Sequence, residues 1–323
     1  MNHKRVRLDS NDPTGRPTAI TGLRHDGQLW YEDGNVILVA SGIGFRVIQQ
    51  LFCVPQPPDS QLIDGCPVVH LSDTAIALQE LLLVLLRGKR YSEQDDPELD
   101  FLSYRIRLAH KYGVEDILEE SVQALEELYP TSLASWDQVR YERGFTSRTI
   151  TAVNLARLTN TCSVLPTALY ACCQLPVRVL FNGAVHADGT IDTLSPGDMI
   201  TCMEAKVLFT RKHMENTVEA FFLARQLALA YTTMTHTEAG LLEVWDSFLE
   251  ACRRRGGLAN GTPGSPRLCN DGVRDVRRHL RHHRVAMWNA LPQVMGIEVE
   301  TWVLAGLDSD SDSDSSDSDS DLD

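Results

Sequence analysis

The period of the apolar positions changes along the chain. Between Trp30 and Val47, β-branched and aromatic residues gather around two turn signals, Asp33-Gly34 and Ser41-Gly-Ile-Gly44. That pattern predicts short strands over 35–40 and 45–47. Residues 55–66 hold three prolines and read as a loop, and Val68 to Leu71 reads as a further strand. The period then becomes helical. Ser72 or Asp73 can cap an apolar helix from Ala75 to Arg87, with Gly88 as its stop. Phe101, Tyr104 or Arg105, Leu108 and Tyr112 recur at helical spacing up to Gly113. A second helix over 114–128 carries Leu118, Val122, Leu125 and Leu128 on one face, and Tyr129-Pro130 closes it.

Beyond that point the pattern predicts helices alone. Residues 131–147 read as a connector that contains Trp136. Helices are expected over 149–158 and over 165–173, with Pro166 in the first turn of the second. Ser195-Pro-Gly-Asp198 is a helix start: a capping hydroxyl, a proline at the first position and an acid in the first turn. Helices over 197–213, 217–232 and 237–255 follow, then Gly256-Gly257 and a Gly/Pro/Asn linker over 257–268. A basic helix spans 271–290, Pro292 ends it, and Trp302 anchors what comes after. The expected fold class is α+β: a small sheet with helices over 27–130, then an all-helical extension over 131–302. Residues 1–26 and the acidic Asp/Ser tail over 303–323 are expected to be disordered.

Charge sharpens this picture. The net charge is −14, but eight Asp lie between Asp308 and Asp323 with no Lys or Arg, so the rest carries −6. One window opposes the trend: Arg253 to Arg284 holds nine Arg and two Asp, a net +7. Its helix, with Arg274, Arg277, Arg278, Arg281 and Arg284, could grip phosphates. Aromatic residues are not interleaved and the whole is acidic, which argues against nucleic acid as the principal partner. The bland reading is a solvated basic face; the other is a docking site for the tail of the same chain. Seven Ser, nearly all followed by Asp, give that tail the look of a target for acid-directed kinases.

Candidate chemistry is sparse. Eight cysteines are spread through the chain without a secretory apolar region before them, which predicts reduced thiols and an intracellular setting, cytoplasm or nucleus. The longest apolar run, Leu81 to Leu86, is far too short to span a membrane. Cys252, Cys269, His279, His282 and His283 have zinc-donor chemistry, but no Cys-x-x-Cys unites them, so buried Cys and a solvated helix are the reading. Ser41-Gly-Ile-Gly44 lacks the third glycine of a dinucleotide loop and reads as a hairpin turn. His236-Thr-Glu238 lacks the Pro-Cys-x-x-Cys of zinc deaminases. His110 reads as a satisfied structural histidine. No catalytic, cofactor-binding or metal-binding residue is assigned, and an enzyme is not expected.

The chain resembles fungal, mainly basidiomycete, proteins with a BTB/POZ domain. The residues that carry the resemblance are Tyr31-Glu-Asp-Gly-Asn-Val-Ile-Leu-Val39, Phe45-Arg-Val47, Pro55-Gln-Pro57, Asp64-Gly-Cys-Pro-Val-Val-His-Leu-Ser-Asp73, Leu82 to Tyr91 and Leu108-Ala-His-Lys-Tyr112. Ala152-Val-Asn-Leu-Ala-Arg157, Leu165 to Gln174, Leu194-Ser-Pro-Gly-Asp198 and Val285 to Pro292 resemble the helical extension of those proteins. Two departures stand out. About a dozen residues of a helical hairpin are missing between Val47 and Pro55, which weakens the expected dimer face. Near Cys269 only one cysteine of a pair remains. The resemblance implies a protein–protein interaction module that self-associates or serves as an adaptor, its partner in some relatives being a cullin scaffold of a ubiquitin ligase.

Overall fold

The computed structural model describes residues 23–49, 61–87, 99–231 and 270–306. They form an α+β protein in two compact units. The expectations over 1–22, 50–60, 88–98, 232–269 and 307–323 lie outside the described residues. Among them are Cys53, Cys252, Cys269, the His236-Thr-Glu238 triplet, the helix over 237–255 and the acidic tail.

The first unit holds the described residues up to Ser121 together with His186–Thr190. Its sheet has five strands: β1 (Arg24–Trp30), β2 (Val36–Ala40), β3 (Ile43–Val47), β4 (Leu62–Ile63) and β5 (Cys66–Leu71). They lie in the order β1-β3-β2-β5-β4. Ser41 and Gly42 both have positive φ, 48° and 77°, so a tight turn joins β2 to β3 as a hairpin. Asp64 and Gly65 (φ 49° and 79°) do the same between β4 and β5. This second hairpin replaces the loop expected there, and its Asp-Gly pair is the local signal for the turn. Asp33-Gly34 does lie in a turn, closed by the Gly34 N–H donating to Tyr31 O at 3.1 Å. The strands it connects do not pair, however: β1 runs parallel to β3. A Cβ at Gly34 would lie 2.8 Å from Cγ of Arg46, so crowding rather than backbone sign fixes this glycine.

β2 is buried at every position because apolar side chains leave both of its faces. Val36, Leu38 and Ala40 join Phe45, Val47 and the helices α1 (Ala75–Arg87) and α2 (Leu99–Tyr112). Ile37 and Val39 join Cys66 and Val68 on the opposite face. Gly113 (φ 67°) ends α2, and α3 (Glu115–Leu128) follows. Within this core Arg105 Nε donates to Glu80 Oε1 at 2.6 Å, an ion pair with both partners buried. His186 Nδ1 sits 2.9 Å from Asp100 Oδ1, and Asp188 accepts from Thr74 at 2.8 Å and donates its N–H to the Tyr104 hydroxyl. His110 is exposed at the end of α2, not satisfied inside, because the buried arc of the helix passes through Leu108 and Ala109.

The second unit holds Val122–Val185 and the described residues from Ile191 on. It is helical apart from one short hairpin. Its elements are α4 (Leu133–Arg143), α5 (Arg148–Thr159), α6 (Leu165–Gln174), α7 (Val177–Asn182), β6 (Ala184–Val185), β7 (Ile191–Asp192), α8 (Pro196–Tyr231), α9 (Asn270–Asn289) and α10 (Leu291–Met295). α4 lies in the expected connector, with Ser132 Oγ accepting from the Ser135 N–H as its cap. Pro292 opens α10 rather than ending the chain's last helix. Ile150, Val153, Leu165, Leu169 and Cys202 fill the core. A run of rings continues it: Phe209 to Tyr170 (5.3 Å), Tyr170 to Trp136 (6.2 Å), Trp136 to Trp288 (6.4 Å) and Trp288 to Trp302 (4.6 Å).

Candidate interaction surface

α8 organises the second unit. Ser195 caps it, accepting from the Asp198 N–H at 3.1 Å and donating to Asp198 Oδ2 at 2.8 Å. Arg157 Nη2 bonds the same carboxylate at 2.6 Å. The two helices expected over 197–213 and 217–232 are one helix of 36 residues, ~54 Å long at 1.5 Å per residue. Nothing between 213 and 217 breaks it, since Met214, Glu215 and Asn216 all accept helical geometry.

One face of α8 is buried through Cys202, Ala205, Phe209, Asn216 and Ala220. The other carries Ile200, Val207, Met214, Val218 and Phe222, each between 50 and 69% exposed. Steps of seven, seven, four and four residues put these five on one stripe of the helix. Glu204 and Arg211 lie on the same line at the intervening positions and are exposed. Isolated exposed apolar residues are ordinary; five along one helical stripe form a continuous apolar surface and a candidate for contact with another apolar face.

Beside the stripe, α8 and α9 form a polar cleft of about 270 Å³ lined by Lys212, Glu215, Asn216, Glu219, His279, His282 and His283. His279 Nε2 is 3.8 Å from Glu219 Oε2, beyond hydrogen-bond reach. Asn216 Oδ1 and His279 Nε2 are buried without a partner. His283 Nε2 lies 3.2 Å from Lys212 O, and burial, then the neighbouring His279, lowers its pKa. The sequence-derived zinc candidates therefore meet in part: the three histidines share the cleft, while Cys252 and Cys269 lie outside the described residues. Among the described residues no group of three or more His, Cys, Asp or Glu could hold a metal ion.

The arginines of α9 face outward. Arg274, Arg277, Arg278 and Arg281 are exposed and recur at three, four and seven residues, so they share one face. Arg278 pairs with Asp275 at 2.7 Å, and Arg284 pairs with Asp137. Cys66, Cys172, Cys173 and Cys202 are buried free thiols. Cys172 Sγ donates to Thr149 Oγ1 at 3.4 Å, Cys173 Sγ to the Cys202 carbonyl at 3.4 Å and Cys202 Sγ to the Leu169 carbonyl at 3.8 Å. No described helix is long and apolar enough to cross a membrane. No family model, no curated protein and no solved structure matches the chain.

Proposed function

We propose that the chain is a protein–protein interaction module of BTB/POZ type, acting through self-association or as an adaptor. The observation that carries this reading is the apolar stripe of α8, Ile200, Val207, Met214, Val218 and Phe222. Burying such a stripe against a partner helix removes apolar surface from water at about 25 cal/mol per Å². Its near-heptad spacing suits a second helix, and Glu204 and Arg211 on the same line offer opposite charges to a second copy of the stripe. In the first unit, the small sheet packed on helices supports the reading, because it is the arrangement that the BTB/POZ resemblance implies. A cullin-type scaffold is the adaptor partner that the resemblance brings with it.

Sedimentation velocity of the full chain over a micromolar concentration series tests the proposal. Association that increases with concentration and is lost in Val207→Glu and Met214→Glu supports it. Both positions are well exposed, so the variants keep the wild-type circular dichroism. Sedimentation unchanged by both substitutions overturns the assignment of this face.

A further inference from the structure

We propose that the exposed arginine face of α9 is a binding site for an acidic Ser/Asp peptide, and that residues 308–323 of the same chain occupy it. The structure supplies the geometry of approach. Trp288 Nε1 donates to Val303 O at 3.1 Å. Asn289, the last residue of α9, clasps Ala305 from both sides: its Oδ1 accepts from the Ala305 N–H at 2.8 Å and its Nδ2 donates to the Ala305 carbonyl at 3.1 Å. These bonds fix the chain beside the C-terminal end of α9 immediately before the acidic residues begin.

From Asn289 back along α9, Arg281 is ~12 Å away and Arg274 ~22 Å away at the helical rise. The residues after Gly306 can span up to ~55 Å when drawn out, so they cover this distance with slack. Spacing also matches. In 308–314 every second residue is Asp. Drawn out, such a chain places successive carboxylates ~6.6 Å apart, close to the ~5.4 Å between turns of α9. Successive Asp can therefore meet successive arginines along Arg281, Arg277 or Arg278, and Arg274. Each contact is weak alone, but the covalent link holds the partners at high effective concentration, which turns several weak pairs into an occupied site. The Ser residues between the Asp extend the inference. A phosphoserine presents more negative charge and three acceptor oxygens to guanidinium groups, so a phosphorylated peptide binds the same face more tightly.

Amide NMR spectra of the full chain test the proposal. The comparison is between the natural sequence and a variant in which all eight Asp of 308–323 become Asn. At about 20 mM salt, where screening is weak, the amides of Arg274 to Arg281 differ between the two chains; at about 500 mM the difference shrinks about tenfold. A second chain carrying Arg277→Gln and Arg281→Gln loses the salt-dependent movement while its core resonances stay in place. Spectra of the natural and Asn chains that superimpose over Arg274 to Arg281 at low salt overturn the proposal. So do amides that ignore the eight Asp and move only when single-stranded DNA is added, which would make the face a nucleic-acid surface.

Discussion

The indole of Trp302 stacks on that of Trp288, with ring centroids 4.6 Å apart and planes 24° apart. Trp288 spends its N–H on Val303 O, whereas the Trp302 N–H is buried with no partner. The two halves of the Trp302 ring system thus contribute with opposite sign: the stack stabilises and the orphan N–H costs. Trp302→Phe keeps a stacked ring and removes the orphan, so it is expected to leave stability within about 1 kcal/mol of wild type. Trp302→Ala loses the stack and is expected to cost about 3 kcal/mol. Chemical denaturation of both variants checks this; equal losses would show that the stack contributes nothing.

Leu82 and Leu85 both belong to α1, but they are not equivalent. Leu82 is fully buried among the sheet and α2, while Leu85 is only partly covered. Leu82→Ala is expected to cost about 2–5 kcal/mol, and Leu85→Ala about half as much. The reverse order in urea melts would mean that α1 is rotated about its axis.

Two tyrosines make the first unit sensitive to alkali. Burial pushes the Tyr104 phenol up to about 12, and burial together with the hydrogen bond to Asp73 raises Tyr112 as well. A raised folded-state value means that the neutral phenol is the form the native state holds. The Tyr104 contribution is therefore complete below pH 10, its ordinary value, and is lost as pH rises from 10 to about 12. Tyr104→Phe is expected to flatten the fall in stability across that window, at the cost of the acceptor for the Asp188 N–H. An unchanged alkaline limb in this variant would remove Tyr104 from the transition.

Much of the fold was legible because local chemistry agreed with tertiary context. α1 has the expected bounds, since thirteen largely apolar residues follow a polar stop; its cap, however, is Thr74, whose Oγ1 accepts from the Ala77 N–H at 3.4 Å, while Ser72 and Asp73 accept from Lys111 instead. Ser195 caps α8 as its hydroxyl and the Asp198 spacing implied. The misses have physical causes. β1 finds a parallel partner in β3, which no local signal encodes. α4 hides because its apolar residues, among them Trp136, are few and its surface is polar. The β6–β7 hairpin is only two residues a side; Gly183 (φ 80°) marks it, and a Cβ there would lie 2.3 Å from Asp192 O. The apolar stripe of α8 was blurred because this helix is apolar on two faces, which mixes both sets into one weak periodicity. The cleft was half legible: the spacing of His279 and His283 showed on α9, but Asn216 and Glu219 come from a helix more than fifty residues earlier.

The edges of the five-stranded sheet bear on how this chain can associate. β4, at one rim, is two residues long. β1, at the other, changes register between His25 and Trp30. Among the described residues neither rim offers an extended, regular ladder of unsatisfied amides and carbonyls, the feature that lets a foreign strand dock and propagate. Growth of this sheet by templated strand addition, the route into fibrils and swapped dimers, is therefore disfavoured at both ends. On the proposed function, contacts with a partner fall to side chains on the helices, where one substitution can tune a contact without opening the backbone to aggregation.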